Sequence, residues 1–328
     1  MYETAYHTID LSKSSFLVTG GAGFIGSNIV EYLLKYGAKK VRVLDNLATG
    51  RIENVDLFKA NPAYEFIKGD IRDIETCRKA CEGIDYVSHQ AALGSVPRSI
   101  KEPQNTNDVN VGGFVNMITA AKDAGVKKFV YASSSSVYGD EKSLPKVEEK
   151  LGKQLSPYAV SKYANELYAD VFYKTYGLQV IGLRYFNIFG PRQDPNGQYA
   201  AVIPLFVSKI MSRTEVFIDG DGEQTRDFTF VDNAVQANVR AMLTDNTEAA
   251  GKVFNIAVGE NFSVNQLYNN IGKLLGSDHQ PTYRDTRPGD IRNSLADITK
   301  AETLLSYNPQ FNFDKGLALT VEYFKNLQ

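Results

Sequence analysis

Residues 16–26 carry the sequence FLVTGGAGFIG, an apolar strand that runs into glycines at positions 20, 23 and 26. Glycine lets the backbone turn tightly and approach a pyrophosphate, which then binds the unpaired N–H groups at the N-terminus of the following helix. The segment therefore predicts a strand, a phosphate-binding turn and a helix. Glycines at this spacing also occur in ordinary strand-to-helix turns, so the neighbouring segments have to distinguish the two.

Short β-rich runs alternate with helical patterns through the first 184 residues. This alternation is typical of a parallel sheet with helices on both faces, the doubly wound Rossmann-type α/β fold. We therefore expect a nucleotide-binding domain over residues 1–184. Its predicted strands are 16–19, 41–45, 64–68, 86–89, 129–133 and 180–183.

After residue 184 the chain changes to stretches rich in Gly, Pro, Asn and Asp, at 190–197, 219–222 and 287–290. Irregular polar loops of this kind form binding surfaces more often than core. We predict a smaller, discontinuous substrate-binding lobe over residues 185–328. One apolar run at 254–257 is expected to return to the main sheet as a strand.

The composition limits the classes of partner. The 328 residues are 43% hydrophobic with a formal net charge of −2, so the chain has no overall positive field for nucleic acid or an acidic membrane. The polar first fifteen residues and the lack of an apolar run of about 18 residues predict no membrane segment and a cytoplasmic location. Cys77 and Cys81 are expected to be reduced helix residues, and no metal site is predicted.

Three strand ends indicate the cofactor. The second strand ends in Asp45, where a dinucleotide fold binds the adenosine ribose hydroxyls, and a carboxylate there repels a 2′-phosphate. We therefore expect NAD rather than NADP. Asp70 follows the third strand and either accepts the adenine amino group or is a plain loop residue. Small residues after Gln90 fit a backbone that passes close to a cofactor.

The segment YAVSK at 158–162 carries the strongest chemical signal. Tyr158 and Lys162 share one helix face, so the ammonium can lower the phenol pKa from its usual value of about 10. A phenolate at neutral pH is a general base for a sugar hydroxyl. A solvated Tyr/Lys pair is the alternative, which the glycine turn and the serine-rich strand end at 132–136 disfavour.

These motifs resemble the extended short-chain dehydrogenase/reductases, and the resemblance covers essentially the whole chain. Within that family the chain resembles bacterial UDP-N-acetylglucosamine 4-epimerases. The resemblance is carried by GGAGFIG (20–26), HQAALGSVPRS (89–99), SSSSVYG (133–139), LSPYAVSKYANE (155–166), LRYFNIFGPRQDPNGQYAAVIP (183–204), GDGEQTRDF (220–228) and RPGDIRNSLAD (287–297).

The resemblance implies roles for individual residues. Tyr158 would be the base, Lys162 its partner and a ligand of the nicotinamide ribose, and Ser134 the hydroxyl that relays the proton. Ser133 and Ser135 are one position away and remain alternatives to Ser134. The candidate NAD-binding residues are Gly20, Gly23, Phe24, Ile25, Gly26, Asp45, Asn46, Gly50, Asp70, Ile71, Gln90, Ala91, Ala92, Tyr158, Lys162 and Tyr185.

The substrate implied by the resemblance is a UDP-sugar. Gly94 stands where UDP-galactose epimerases usually place a lysine, and Ser294 where some carry a tyrosine. Small residues at both places would leave room for a substituent on C2, although Ser294 could equally be a surface hydroxyl. The candidate ligands are Asn187, Arg226, Arg287 and Asp290 for UDP, Phe217 and Asp219 for uridine, and Gly94, Ser135, Gln193, Ala201 and Ser294 for the hexose, with Ser134 and Val202 as further substrate-binding residues.

We therefore expect NAD-dependent 4-epimerisation of a UDP-hexose, chiefly UDP-N-acetylglucosamine to UDP-N-acetylgalactosamine, in nucleotide-sugar metabolism and polysaccharide biosynthesis. UDP-glucose or a uronic acid form are further substrate candidates. Alternatives are a 4,6-dehydratase or a decarboxylase, which place acids beside the strand-end hydroxyl, and a non-catalytic NAD-binding module. A homodimer is expected through a four-helix interface formed by the helices at 113–124 and 158–176, with Phe114, Ile118, Ala121, Leu167, Val171 and Phe172 as the apolar residues.

Overall fold

The computed structural model describes residues 1–197, 200–286 and 292–327. Its strands are β1 (Ser15–Thr19), β2 (Lys40–Asp45), β3 (Tyr64–Lys68), β4 (Tyr86–His89), β5 (Lys128–Ser134), β6 (Val180–Tyr185), β7 (Ile188–Phe189), β8 (Phe217–Asp219), β9 (Thr225–Arg226), β10 (Thr229–Phe230), β11 (Lys252–Ile256), β12 (Phe262–Ser263) and β13 (Thr282–Arg284).

The helices of the same described ranges alternate with these strands. They are α1 (Phe24–Lys35), α2 (Ile52–Asp56), α3 (Ile74–Cys81), α4 (Val96–Lys101), α5 (Pro103–Asn107), α6 (Gly113–Asp123), α7 (Pro157–Tyr176), α8 (Val202–Met211), α9 (Val231–Leu243), α10 (Val264–Leu275), α11 (Thr299–Leu305) and α12 (Phe313–Lys325). A π-helical turn, Asp108–Gly112, leads into α6, and short 3₁₀ turns lie at Leu11–Lys13, Ser135–Tyr138 and Thr247–Ala249.

Seven strands form one parallel sheet in the order β11-β6-β5-β4-β1-β2-β3. Six of them follow the 3-2-1-4-5-6 order of dinucleotide-binding folds. The predicted Rossmann-type fold is therefore confirmed. The run expected to return to the sheet is β11, which pairs in parallel with β6.

Helices cover both faces of the sheet, and alternate residues of each strand pack against opposite helical layers. Val18 and Val43 pack with α1, α9 and α11, whereas Leu17 and Leu44 pack with α3, α6 and α7. A third core lies among α8, α10, α12 and the short strands β8 and β10. The division of the chain at residue 184 stays a prediction, and α9 and α11 from beyond it cover the main sheet.

Helix α7 is delimited by local sequence signals. The Ser156 hydroxyl accepts a hydrogen bond from the Ala159 N–H, Pro157 occupies the first turn, and Gly177 ends the helix in the left-handed region at φ 70°. The twenty residues of α7 lie against β5 and β6. This packing brings Tyr158 and Lys162 to the end of β5.

The prediction that the apolar residues of α6 and Phe172 of α7 form a dimer interface is wrong, because they are buried within the chain. Phe114, Ile118 and Ala121 of α6 have no exposed surface and pack in the core beneath the sheet. Phe172 of α7 is also buried in this core. Helical spacing identifies an apolar face but not what covers it, and here the covering surface is the chain's own sheet.

The described residues contain no helix that is long and apolar enough to cross a membrane. Over the same ranges, the side chains of His, Cys, Asp and Glu do not come together in threes as a metal site requires. Cys77 and Cys81 lie buried in α3 as free thiols, as expected, and burial raises the pKa of each to about 12.

Candidate active site

Most of the candidate residues come together at one edge of the main sheet. The glycine turn follows β1, Asp45 ends β2, Gln90 follows β4, and Ser134 and Tyr185 end β5 and β6. Because these strands are parallel, their carboxyl ends meet at one edge, where open α/β sheets bind ligands. The structure thus assembles one site from distant parts of the sequence.

The glycine turn leaves a backbone cradle at the start of α1. Gly20 has φ 68°, and a Cβ there would lie 2.7 Å from the Ala91 nitrogen. Gly23 caps α1 without a side-chain hydrogen bond, so the N–H groups of Phe24, Ile25 and Gly26 have no intrahelical acceptor. Such a helix end binds an anion. The observed geometry therefore fits the diphosphate of a dinucleotide.

Asp45 is held in position by the backbone. Its Oδ2 accepts the Ala22 N–H at 3.0 Å and its Oδ1 accepts the Leu47 N–H at 2.8 Å. A Cβ on Gly50 would lie 2.9 Å from Oδ1, so only glycine allows this approach. Each carboxylate oxygen retains a lone pair for a ribose hydroxyl. Burial raises the pKa of Asp45 despite these two hydrogen bonds.

Asp70 has a protein partner that the sequence did not reveal. The Arg72 guanidinium donates to it through Nε at 3.0 Å and Nη2 at 2.7 Å, and Asn46 Nδ2 donates at 2.8 Å. The Arg72 hydrogen bonds hold the pKa of Asp70 well below its usual range. Ile71 is buried beside it. A role of Asp70 at the adenine stays a prediction.

Gln90 and Tyr185 belong to one hydrogen-bond network with α9. Tyr185 OH donates to Gln90 Oε1 at 3.0 Å, Gln90 Nε2 donates to Asn238 Oδ1 at 3.0 Å, and Asn238 Nδ2 donates to Tyr185 OH at 2.7 Å. Sequence reasoning missed Asn238, because this residue lies in none of the quoted motifs and is 148 positions away from Gln90 in the sequence. The network fixes the strand ends beside Ala91 and Ala92.

Tyr158 and Ser134 are hydrogen-bonded. The Ser134 hydroxyl donates to the Tyr158 phenol, and this bond lowers the phenol pKa, but burial has the larger effect and raises it. The sequence led us to expect a pKa lowered by Lys162. The observed direction is the opposite, because removal of the phenol from water outweighs its hydrogen bond. The role of Lys162 on the phenolate stays a prediction.

Lys162 is buried below the site with 4% of its surface exposed. Its Nζ donates to the Ala132 carbonyl at 2.8 Å and lies 5.9 Å from the Tyr158 ring centroid. Burial lowers its pKa to about 8. An ammonium carries three donors, and within the described residues one is used, so two fit ribose hydroxyls. His89 beside it stays neutral, because burial and the Lys162 charge lower its pKa to about 3.

The three neighbouring serines have different partners. Ser133 donates to Glu166 Oε1 at 2.5 Å, and Glu166 forms a buried ion pair with Arg184 at 2.7 Å. Ser134 is the hydroxyl that reaches Tyr158. Ser135 begins the 3₁₀ turn that follows. The Ser133 hydroxyl is therefore engaged by Glu166, and the choice of Ser134 as the relay stays a prediction.

The segment that carries Arg226 is anchored by its buried neighbour. Asp227 accepts the backbone N–H groups of Val258, Gly259 and Ala296 at 3.1 to 3.3 Å. Burial raises its pKa to about 7. Asn187 Nδ2 donates to the Asp227 carbonyl at 3.1 Å. Sequence reasoning missed Asp227, which joins the Arg226 segment to the segment that contains Ser294.

The candidate uridine residues lie on β8. Arg284 donates to Asp219 Oδ1 at 2.5 Å and stacks 5.1 Å from the Phe217 ring centroid. Arg284 is a charged neighbour that the sequence did not point to. Arg226 Nη1 donates to the Thr225 carbonyl at 2.8 Å. Arg287 and Asp290, also expected at UDP, lie outside the described residues.

The candidate hexose residues are small or lack partners. A Cβ on Gly94 would meet no atom of the described residues within 4 Å. Ser294 is 8% exposed, and its N–H donates to the Thr225 carbonyl at 3.2 Å. Gln193 Oε1 is buried without a hydrogen-bond partner among the described residues. Ala201 and Val202 begin α8. These positions offer space and an acceptor.

Comparison with known proteins agrees with the geometry. Residues 16–257 match the NAD dependent epimerase/dehydratase family. A UDP-glucose 4-epimerase of Mycolicibacterium smegmatis is 38% identical, over 94% of this chain and 98% of that protein. The solved UDP-N-acetylglucosamine 4-epimerase from Methanobrevibacter ruminantium M1, in complex with UDP-N-acetylmuramic acid, is 40% identical with a TM-score of 0.90, over 96% of this chain and 99% of that one.

A more distant enzyme of the same fold is also similar. The dTDP-glucose 4,6-dehydratase from Streptomyces venezuelae, solved with NAD bound, is 33% identical with a TM-score of 0.89, over 95% of this chain and 97% of that one. The family match, the backbone cradle after β1 and the position of Asp45 all indicate NAD as the cofactor. The chain therefore belongs to the NAD-dependent epimerase/dehydratase family of extended short-chain dehydrogenase/reductases, as an isomerase of the NAD-dependent UDP-sugar 4-epimerase group.

Proposed function

We propose that this enzyme interconverts UDP-N-acetylglucosamine and UDP-N-acetylgalactosamine. Tyr158 takes the proton of the C4 hydroxyl and later returns it, with Ser134 holding both the phenol and that hydroxyl. NAD⁺, when bound, supplies the hydride acceptor for C4. The 4-keto sugar then turns and is reduced on its other face, so the net redox change is zero.

The observation that carries the epimerase chemistry is the Ser134–Tyr158 pair without an acid beside it. The residues between Ser134 and Asp140 are SSVYG. Asp140 is exposed, and its Oδ1 accepts the Lys153 N–H at 2.7 Å. A 4,6-dehydratase needs an acid at the sugar to eliminate water. The described strand end at 134–139 thus supports proton removal at C4 and carries no such acid.

Lys162 supports the base in two ways. Its charge lies in a buried setting, where it favours a phenolate over a neutral phenol. Its free donors suit the nicotinamide ribose, so cofactor binding would keep the ammonium charged. Since burial alone lowers its pKa to about 8, hydrogen bonds that the ammonium donates to ribose oxygens would oppose that loss of charge.

The N-acetylated substrate is supported by the space near Gly94 and Ser294. The open surroundings of Gly94 and the small Ser294 side chain leave volume that a lysine or a tyrosine would occupy. The solved epimerase of M. ruminantium M1, which holds a UDP-N-acetylated sugar, points the same way. Gln193 Oε1 offers a hydrogen-bond acceptor for a hydroxyl or amide of the hexose.

We also propose a homodimer formed through α7. Val160, Leu167 and Val171 of this helix are about half exposed, at 55%, 52% and 50%. Their spacing of seven and four residues places them along one helix face. An exposed apolar stripe of this kind suits a two-fold helix contact. The α6 contribution would come from residues other than those facing the sheet.

A comparison of initial rates tests the substrate. Purified enzyme would be given UDP-N-acetylglucosamine, UDP-glucose or UDP-N-acetylglucosaminuronate, and the 4-epimers would be separated by chromatography. We expect the highest kcat/KM for UDP-N-acetylglucosamine. A higher value for UDP-glucose would refute the N-acetyl preference, and release of water or carbon dioxide from any of the three would refute the epimerase.

A further inference from the structure

Residues 1–7 form an N-terminal strap that crosses α1 ahead of the first strand. Tyr2 and Tyr6 of the strap are only 1% and 4% exposed. The Tyr6 ring stacks on Tyr32 of α1 with centroids 5.3 Å apart, and its hydroxyl donates to Asp232 at the start of α9. The strap is thus packed as core, although it precedes the part of the chain that matches the family.

Asn28 of α1 joins the strap to the sugar side of the site. Its Oδ1 accepts Tyr2 OH at 2.7 Å and also accepts Arg192 Nη2. Its Nδ2 donates to the carbonyls of Phe24 at 2.9 Å and Pro191 at 3.3 Å. A side-chain amide accepts two hydrogen bonds and donates two. All four hydrogen bonds of the Asn28 amide are therefore used, by the strap, the first turn of α1 and the turn at 190–193.

The turn at 190–193 needs such anchoring. Arg192 has φ 72°, a left-handed conformation that is uncommon for a residue with a side chain. Its guanidinium pairs with Glu31 of α1 at 2.6 Å and is 10% exposed. Gln193 follows directly, with Nε2 donating to the Ile188 carbonyl at 3.3 Å. The strained backbone persists because α1 holds the Arg192 side chain.

We propose that Tyr2 is a positioning residue, which acts through Asn28 and Arg192 to place Gln193 for the hexose. This inference rests on the proposed function, in which Gln193 contacts the sugar. Loss of the Tyr2 hydroxyl leaves one Asn28 lone pair unused, so three hydrogen bonds hold the amide instead of four. The turn at 190–193 then populates conformations in which Gln193 is displaced.

Tyr2→Phe tests the inference with little change in packing. We expect kcat/KM for the UDP-hexose to fall about three- to tenfold, chiefly through KM, as the loss of one hydrogen bond predicts. The dissociation constant of UDP, which has no hexose, should stay unchanged. The matched control is Tyr307→Phe, since Tyr307 is also 1% exposed and its OH donates at 2.8 Å to the Ala257 carbonyl. It should retain wild-type kinetics.

A double-mutant cycle separates positioning from general damage. In a Gln193→Ala background, Tyr2→Phe should have no further effect on kcat/KM, because the group it positions is gone. Effects that multiply, or an unchanged KM in the single variant, would overturn the inference. If wild-type enzyme fails to epimerise UDP-N-acetylglucosamine, the substrate proposal fails separately. The affinities for UDP-glucose and UDP in both variants would still test the strap.

Discussion

Replacing Tyr158 by Phe removes a single oxygen at the centre of the proposed chemistry. That oxygen receives one hydrogen bond, from Ser134, and the residue is half-buried. Loss of one such bond costs about 1 kcal/mol of folding free energy. Loss of a general base costs about 10²- to 10⁴-fold in rate, or about 3 to 5 kcal/mol of transition-state stabilisation. Activity should therefore fall far more than stability.

Tyr307→Phe should do the opposite and lower stability far more than activity. It removes a fully buried phenol oxygen that donates to the Ala257 carbonyl at 2.8 Å. The carbonyl is left unsatisfied in the core, at a cost of about 1 to 3 kcal/mol. Tyr307 has no part in the proposed chemistry, so its kcat should match the wild-type value. The two variants thus separate a chemical role from a structural one.

The assay is steady-state epimerisation, combined with urea unfolding and NAD affinity measured by calorimetry. For Tyr158→Phe we expect kcat at least 100-fold lower, with NAD affinity unchanged and the unfolding free energy within about 1 kcal/mol of wild type. Turnover within tenfold of wild type would refute Tyr158 as the base. A loss of activity that only parallels a loss of folded protein would refute it too.

Three further predictions concern the cation, the pocket and the assembly. Lys162→Met should weaken NAD binding and move the rising limb of kcat/KM to higher pH, since removing a nearby cation raises the phenol pKa; an unchanged limb contradicts this role. Ser294→Tyr should lower kcat/KM for UDP-N-acetylglucosamine at least about tenfold more than for UDP-glucose, with Ser294→Ala as control, because a packed pocket cannot admit both the ring and the N-acetyl group; equal losses would exclude a gate at C2. Light scattering should show a dimer at micromolar concentration that Leu167→Glu dissociates and Lys273→Glu, at an exposed position of α10, does not; a monomeric wild type would refute the interface.

The main sheet could be predicted from the sequence because its signals are local. Each central strand is a short apolar run that ends at a glycine or a polar residue, and burial on both faces requires such a run. Even β11 was recognisable at 254–257, where an apolar run follows polar loops. The pairing of β11 with β6 follows from the rest of the fold, since β6 otherwise forms the sheet edge.

The apolar face of α6 shows where local signals end. Phe114, Ile118 and Ala121 have the spacing of one helix face, which suits a subunit interface and a core equally well. The sheet covers all three completely. In α7 the same spacing leaves Leu167 and Val171 half exposed. Only the three-dimensional packing distinguishes the two faces.

The sequence predicted the motifs of the site but not the hydrogen-bond partners of its residues. The serine run left three candidate hydroxyls, and the structure pairs Ser133 with Glu166 and Ser134 with Tyr158, and both partners are residues of α7. The run of identical residues does not distinguish these hydroxyls, and their partners follow from how α7 packs on β5. Asn238 lies outside the quoted motifs, and Asp227 lies within GDGEQTRDF without an indicated role; the partners of both residues become visible only after folding.

Epimerisation requires the nucleotide end of the substrate to stay bound and the sugar end to move. The residues proposed for the two ends differ in how firmly the protein holds them. The sugar must turn between two hydride transfers, so the nucleotide has to stay bound meanwhile. The segment beside Arg226 is fixed by three backbone N–H groups on Asp227, and β8 is fixed by the Arg284–Asp219 pair. At the other end, Gly94 borders open space. If the proposed ligand assignments hold, rigid support at the residues proposed for the diphosphate and uridine, combined with room at Gly94, would let the ring rotate about a held nucleotide, which a pocket fitted tightly to one epimer would prevent.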